Sequence, residues 1–363
     1  MHTSLPCLVN QTVRKIVIDA AMLGLRFFYM ILLLLLPLAA CRKTTSVLPP
    51  EVPDWERLTT DKVVLELPKT VPLLTGADIT LTKELLYDRY TLQDVYDYGD
   101  TVRSFKWDIV KKCLAFIENM QDIHPHWGVF RNYKNLQGEA PLVEPYRRNA
   151  YRLATDTFGI ERYQSVPLYA GADTLMPVRY GRDGAIVQLV DERGSFFVVQ
   201  PVTIEGEWLV PKRYVKALPD SVMMRHVVFV DRGDQNIVTL EWADRAEWKI
   251  RSMNPATTGR HAPPYARETP LGMYLLQEKK TRMVFLKDGS AATGGFAPYA
   301  SRFTNGAYIH GVPTNAPATQ VQEYSWTLGT VPRSHMCVRN ASSHAKFVFD
   351  WAPTEASLVV VIE

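Results

Sequence analysis

The sequence predicts an α+β, multidomain chain. It has a helical N-terminal region, a small β-barrel and a mainly β C-terminal domain. Three observations predict this. Val102, Phe105, Ile109, Cys113, Phe116, Ile117 and Met120 recur at spacings of three and four, which lines them up on one face of a helix. From Gln164 to about Leu218 the period drops to two, in short runs separated by turn residues, the pattern of strands. From Arg225 to Glu363 apolar runs recur between further turns, as in an all-β sandwich or barrel.

Composition narrows the classes. The 363 residues are 47% hydrophobic and 22% charged, an ordinary globular mix with room for two or three domains. With 41 Lys plus Arg against 38 Asp plus Glu, the net charge is only +3, which argues against a charge-driven nucleic-acid binder. Four cysteines are too few for a disulfide-dense scaffold, and 24 prolines favour loops and linkers over a helical bundle.

The first segment, 1–40, reads as an address. A short apolar core from Phe27 to Ala40 follows Arg26, with Arg14 and Lys15 further back. It is shorter than the roughly 20 residues that span a bilayer, as in a secretory signal. Met22 is a plausible start. The ending Leu38-Ala39-Ala40-Cys41 resembles a bacterial lipobox. The resemblance implies that Cys41 is diacylated and becomes the first mature residue. The expected location is therefore the cell envelope, as a membrane-anchored lipoprotein facing the periplasm or outer surface.

Residues 41–77 are proline-rich and read as a tether, with one strand at Lys62–Leu67. Residues 78–163 read as the helical region, capped by Asp100 or Thr101. Cys113 lies in its apolar stripe as a small hydrophobe. Residues 164–220 hold the short strands of the barrel. There Trp208-Leu-Val-Pro211, followed by Tyr214-Val215, resembles the closing strands of an SH3-like barrel. The resemblance leaves open whether the barrel binds wall peptide or only spaces its neighbour.

The chemistry lies in 221–363. Three segments stand out in order: Thr269-Pro270-Leu271-Gly272, Ile309-His310-Gly311, and Ser334-His335-Met336-Cys337 with Arg339 and Asn340 behind it. A cysteine with histidines upstream is the raw material of a thiol acyl-transfer site, since the thiolate is the nucleophile and an imidazole can take its proton. The same residues also read as a buried Cys337 thiol with His310 and His335 as core polar residues, or as zinc ligation by His310, His335 and Cys337.

Together the segments resemble the L,D-transpeptidase (YkuD-like) family, with Val230-Asp231 leading to Asn236–Trp242 as its opening hairpin. The resemblance implies that Cys337 attacks a peptidoglycan stem peptide and expels a D-amino acid, with the thioester then resolved by an acceptor amine. It implies His310 as base, with His335 the rival. Gly311 would hold the strand end that orients the imidazole. Ser334, Met336, Arg339 and Asn340 would shape the substrate side. Arg339 is equally readable as a surface arginine, and Asn340 as a turn or cap. No cofactor is implied, and the expected partners are stem peptides and, through Cys41, a membrane. An L,D-carboxypeptidase and a non-catalytic wall-binding lipoprotein remain alternatives.

Two departures accompany the resemblance. Met336 stands where the family has glycine, and methionine does not take φ > 0 cheaply. Either the backbone is ordinary there or the turn differs. The interval from His310 to Ser334 is also long, and predicts an extended loop over the site.

Overall fold

Four of the six residues of Ser357–Ile362 are β-branched, in the run Val359–Ile362, and such a run makes a strand buried on both faces. It sits inside the largest sheet. The computed structural model describes residues 72–123, 126–171 and 173–363. The 1–40 segment, Cys41, most of the tether and the strand expected at Lys62–Leu67 lie outside the described residues.

In chain order the elements begin with β1 (Thr80–Lys83), β2 (Val95–Tyr98), β3 (Thr101–Ser104) and helix α1 (Trp107–Ile123). Next come β4 (Trp127–Phe130), β5 (Arg147–Arg148), β6 (Ala154–Thr155), β7 (Ser165–Leu168) and β8 (Arg179–Arg182). Then follow β9 (Ile186–Arg193), β10 (Phe196–Pro201), β11 (Trp208–Pro211) and β12 (Val215–Ala217). The C-terminal part contains β13 (His226–Asp231), β14 (Asn236–Asp244), β15 (Glu247–Pro255), β16 (Gly272–Leu275) and β17 (Glu278–Leu286). It closes with β18 (Thr293–Thr304), β19 (Ala307–His310), β20 (Thr314–Asn315), β21 (Val338–Arg339), helix α2 (Ser342–Trp351) and β22 (Ser357–Ile362).

The largest sheet has the order β1-β15-β14-β13-β22-β16. The expected hairpin is present as β13 and β14, with Asp231 paired to Asn236. The Asp231 carboxylate accepts the amides of Gly233 and Asp234, which closes that turn. Side chains alternate across the sheet. Val227, Phe229, Leu358 and Val360 pack beneath Val110, Cys113, Leu114 and Ile117 of α1. Val228, Val230, Val359 and Val361 face Ile309, Val338 and Val348 on the other side. The sandwich is thus covered by a helix on one face and by a second sheet, β17-β18-β19-β21, with α2 on the other.

The helical expectation for 78–163 holds only for α1. Among the described residues that stretch is otherwise strands, loops and one 3-10 turn at Tyr133–Asn135. Thr101 does not cap the helix but opens β3, a hairpin partner of β2. Val102, counted in the apolar stripe, is exposed on that hairpin. The helical spacing continued by chance beyond the true start at Trp107. Cys113 is buried as expected, and burial pushes its thiol up to about 12.

An antiparallel five-stranded sheet runs β11-β10-β9-β4-β12. One of its strands, β4, comes from the segment read as helical. Its Phe130, Val187, Val199 and Val210 share one core with Val228, Ile309 and Val359. A buried ion pair crosses the same boundary, Arg302 Nη1 to Asp183 Oδ2 at 2.7 Å. The described residues accordingly fall in a single compact unit.

Candidate active site

Two short strands build the site. β19 and β21 run parallel, with Ile309 opposite Val338 and His310 opposite Arg339. Ala307, Ile309 and Val338 are core residues. Alternation therefore turns Tyr308 and His310 to the other face, and Arg339 with them. Cys337 directly precedes β21, and the Arg339 charge acts on both His310 and Cys337, so base and nucleophile candidates, far apart in sequence, are brought together because β19 and β21 are neighbours.

His310 is buried, and its Nδ1 lies 2.6 Å from the carbonyl oxygen of Gly311. A carbonyl can only accept, so Nδ1 carries the proton and donates. In the neutral ring Nε2 is then an open lone pair. Burial, with a smaller push from the Arg339 charge, lowers the imidazole to about 4. The ring is neutral at ordinary pH and held in the tautomer a general base needs.

The Cys337 thiol donates to the carbonyl of Gly306 at 3.6 Å. It is not hydrogen-bonded to His310 in this resting arrangement. Burial pushes the thiol up, while the Tyr308 backbone amide and the Arg339 charge pull it down. Arg339 is half-buried, and its Nε has no hydrogen-bond partner. The site thus holds an unsatisfied cationic donor beside a thiol and a neutral imidazole.

The other predicted residues fall into different places. Ser334 is buried, and its hydroxyl donates to the Cys337 carbonyl. His335 is exposed and pairs with Asp288 at 2.9 Å. Asn340 is fully buried, gives its amide to the His310 carbonyl at 2.9 Å and faces His344 at 3.2 Å. It holds the strand end rather than facing the open side. Gly311 is required by space, because a Cβ there would stand 2.5 Å from Ser342 Oγ and 2.8 Å from Pro298 Cγ. Among the described residues no three His, Cys, Asp or Glu side chains group as a metal site needs.

Met336 corrects the expectation of an ordinary backbone or an altered turn. Its φ is +110°, so the methionine holds the conformation a glycine would supply. Thr269, from the Thr-Pro-Leu-Gly segment, accepts the Gly259 amide at 2.8 Å and donates to the Met336 carbonyl at 2.8 Å. The sequence marked that segment but gave it no contact with the nucleophile loop. A threonine opening a strand carries no local signal of a partner 67 residues away.

The long interval forms a loop gripped from outside. Arg103 of β3 donates to the carbonyls of Gly329 and, at 2.8 Å, Thr330. Its guanidinium also covers the Tyr98 ring at 3.5 Å.

Residues 225–362 match the family model of the YkuD L,D-transpeptidase catalytic domain, and this part of the chain is a YkuD domain. Solved structures similar to the chain include a fused amidase/peptidase/peptidoglycan-binding protein from Clostridium acetobutylicum. It is 20% identical over 38% of this chain and 51% of that one, with a TM-score of 0.28. An L,D-transpeptidase from Mycobacterium smegmatis is 16% identical over 43% of this chain and 73% of its own, at a TM-score of 0.31. L,D-transpeptidase 3 from Mycobacterium tuberculosis, with a faropenem-derived adduct, is 19% identical over 43% and 73%, at 0.29. The chain thus spans about half the length of the first of these. No curated protein matches it significantly.

Proposed function

We propose that the chain is a cysteine-dependent L,D-transpeptidase acting on peptidoglycan stem peptides. The observation that carries the reading is the His310 tautomer. With Nδ1–H committed to Gly311, Nε2 is free to take a proton, and Cys337 immediately precedes the strand paired with that of His310. In the proposed reaction Nε2 takes the thiol proton as Sγ attacks the carbonyl carbon next to the terminal D-amino acid. The tetrahedral oxyanion collapses, the C–N bond breaks, and His310 returns the proton to the departing amine. An acceptor amine then attacks the thioester, giving up a proton to His310 and releasing the thiol. Arg339 offers its unpaired Nε–H to developing negative charge or to a stem carboxylate.

The same proposal includes a lipid anchor at Cys41, an envelope location, a tether at 41–77 and an SH3-like reading of 164–220. The last is supported by the single helical turn Lys212–Tyr214 between β11 and β12, and by the antiparallel ladder around it.

The test is incubation of the purified protein with disaccharide-tetrapeptide, followed by mass spectrometry of the products. A cross-linked dimer with loss of a D-amino acid supports transfer. Tripeptide without dimer identifies a hydrolase, and unchanged substrate overturns both.

A further inference from the structure

The nucleophile loop is fastened by backbone pairing at both ends, and the Thr269 hydroxyl reaches its middle. On one side Ser334 is tied to the 258–260 segment, through Ser334 N to Thr258 O at 3.0 Å and Arg260 N to Ser334 O at 3.1 Å. On the other, Arg339 and Thr257 exchange both backbone bonds at 2.9 Å. Between these clamps lies Met336, at φ +110°. A residue with a Cβ does not rest there unless its surroundings over-determine it.

The surroundings that do so are visible. A Cβ on Gly259 would come within 2.7 Å of Met336 Cα and 2.8 Å of its amide nitrogen, so the two backbones are in direct contact. Thr269 is fully buried at the same point. Its one hydroxyl completes two otherwise orphaned backbone groups, the Gly259 amide and the Met336 carbonyl. Only a hydroxyl both accepts and donates in that space. The Met336 carbonyl belongs to the peptide unit that leads into Cys337, so its direction fixes where the Cys337 backbone begins.

We propose that Thr269 is a positioning residue, which holds the strained Met336 backbone so that Cys337 presents its thiol to His310. The proposal deepens the transpeptidase reading and rests on it for its chemical consequence. Its structural content, a coupling between positions 269 and 336 felt at the Cys337 thiol, is independent of which acyl donor is used. A glycine at 336 would adopt the same φ without the tether. The coupling therefore exists only because this chain carries methionine there.

The experiment uses the full chain with Thr269→Val, Thr269→Ser, Met336→Gly and the Thr269→Val/Met336→Gly double variant. Two rates are read for each, namely alkylation of Cys337 by iodoacetamide, followed on its own peptide, and covalent adduct formation with a carbapenem. Circular dichroism checks folding. Thr269→Val is expected to slow both rates by about tenfold or more, the scale on which sub-ångström misplacement of a reacting group is felt. Thr269→Ser should stay within about threefold of the unaltered chain. In the Met336→Gly background the valine substitution should cost about threefold or less. An equal loss in both backgrounds overturns the proposal and leaves Thr269 an ordinary core hydrogen bond. If Thr269→Val does not fold, Thr269→Ala compared in the same two backgrounds decides by the same criterion. If the unaltered chain forms no adduct at all, the transpeptidase reading fails, while the alkylation rates still decide the coupling.

Discussion

The Nε2 of His335 stands 2.9 Å from a carboxylate oxygen of Asp288, and both side chains are exposed. An exposed contact of this kind contributes little to stability, and it occupies the His335 Nε2 with a surface carboxylate. His335→Ala should therefore leave carbapenem acylation within about threefold of normal, since only a weak surface contact is lost. His310→Ala should slow it by about 10²-fold or more, as expected for loss of a positioned general base. Intact-mass time courses give both rates. Equal losses would return His335 to the role of base.

Cys337→Ala should abolish the adduct while the fold persists, because the side chain is half-buried and its one bond is a long contact to Gly306. Cys113 offers no substitute, since burial pushes its thiol up to about 12. An adduct that survives the substitution would sink the assignment of the nucleophile.

Arg339→Gln removes a positive charge that favours the thiolate. The thiol should move further upward, so alkylation of Cys337 at pH 7 should slow and its pH profile should shift to the alkaline side. The same charge also disfavours a protonated His310, so the imidazole should move up as well. A profile that does not move would mean that Arg339 is screened from the thiol by solvent.

His344 is buried between Ser252 Oγ at 2.9 Å and Asn340 Oδ1 at 3.2 Å, and burial lowers it to about 3. His310 is lowered to about 4. Unfolded histidine titrates near 6.5, so between about pH 6.5 and 4 the unfolded chain binds protons that the native one does not. Stability is then full above about pH 6.5 and falls as the pH drops toward the native values, by a few kcal/mol in order of magnitude. Urea midpoints at pH 7, 5.5 and 4.5 measure the slope. His344→Gln should be less stable at pH 7 and show a flatter decline.

The Arg302–Asp183 pair is almost wholly shielded from water, and Asp183 also accepts the Asn132 amide at 2.9 Å and Gln277 Nε2 at 3.2 Å. Arg302→Met leaves that carboxylate buried without its cation, a loss of about 3–5 kcal/mol. Urea unfolding at pH 7 reads this directly. A loss below about 1 kcal/mol would mean that water reaches Asp183 as it does an exposed pair.

What the sequence disclosed and what it hid follow from range. β13, β14 and β22 were legible because their apolar runs are long and the turn at Asp231 is chemically marked. His310 and Cys337 were legible because each sits in its own short motif. β4 was not: Trp127-Gly-Val-Phe130 is four residues, buried at every position, and has no alternation to read. α1 was found but started too early, because Val102 and Phe105 continue a helical spacing that the β2–β3 hairpin interrupts. At Met336 the residue type argued against a left-handed backbone. The deciding contacts, Thr269 and Gly259, are remote in sequence and leave no trace near position 336.

The face of the large sheet beneath α1 carries a further consequence. Trp248 is buried there, and its indole donates at 2.7 Å to Glu118 of the helix. The stretch that matches the family model begins at residue 225, yet its lower face is roofed by residues that precede that point. The matched segment and the folded unit therefore have different borders on this chain. A fragment starting at 225 would bare an apolar floor built from Val227, Phe229, Leu240, Trp248 and Val360, the kind of surface through which proteins associate or precipitate. Any transplant of this site into another polypeptide has to carry the roof with it.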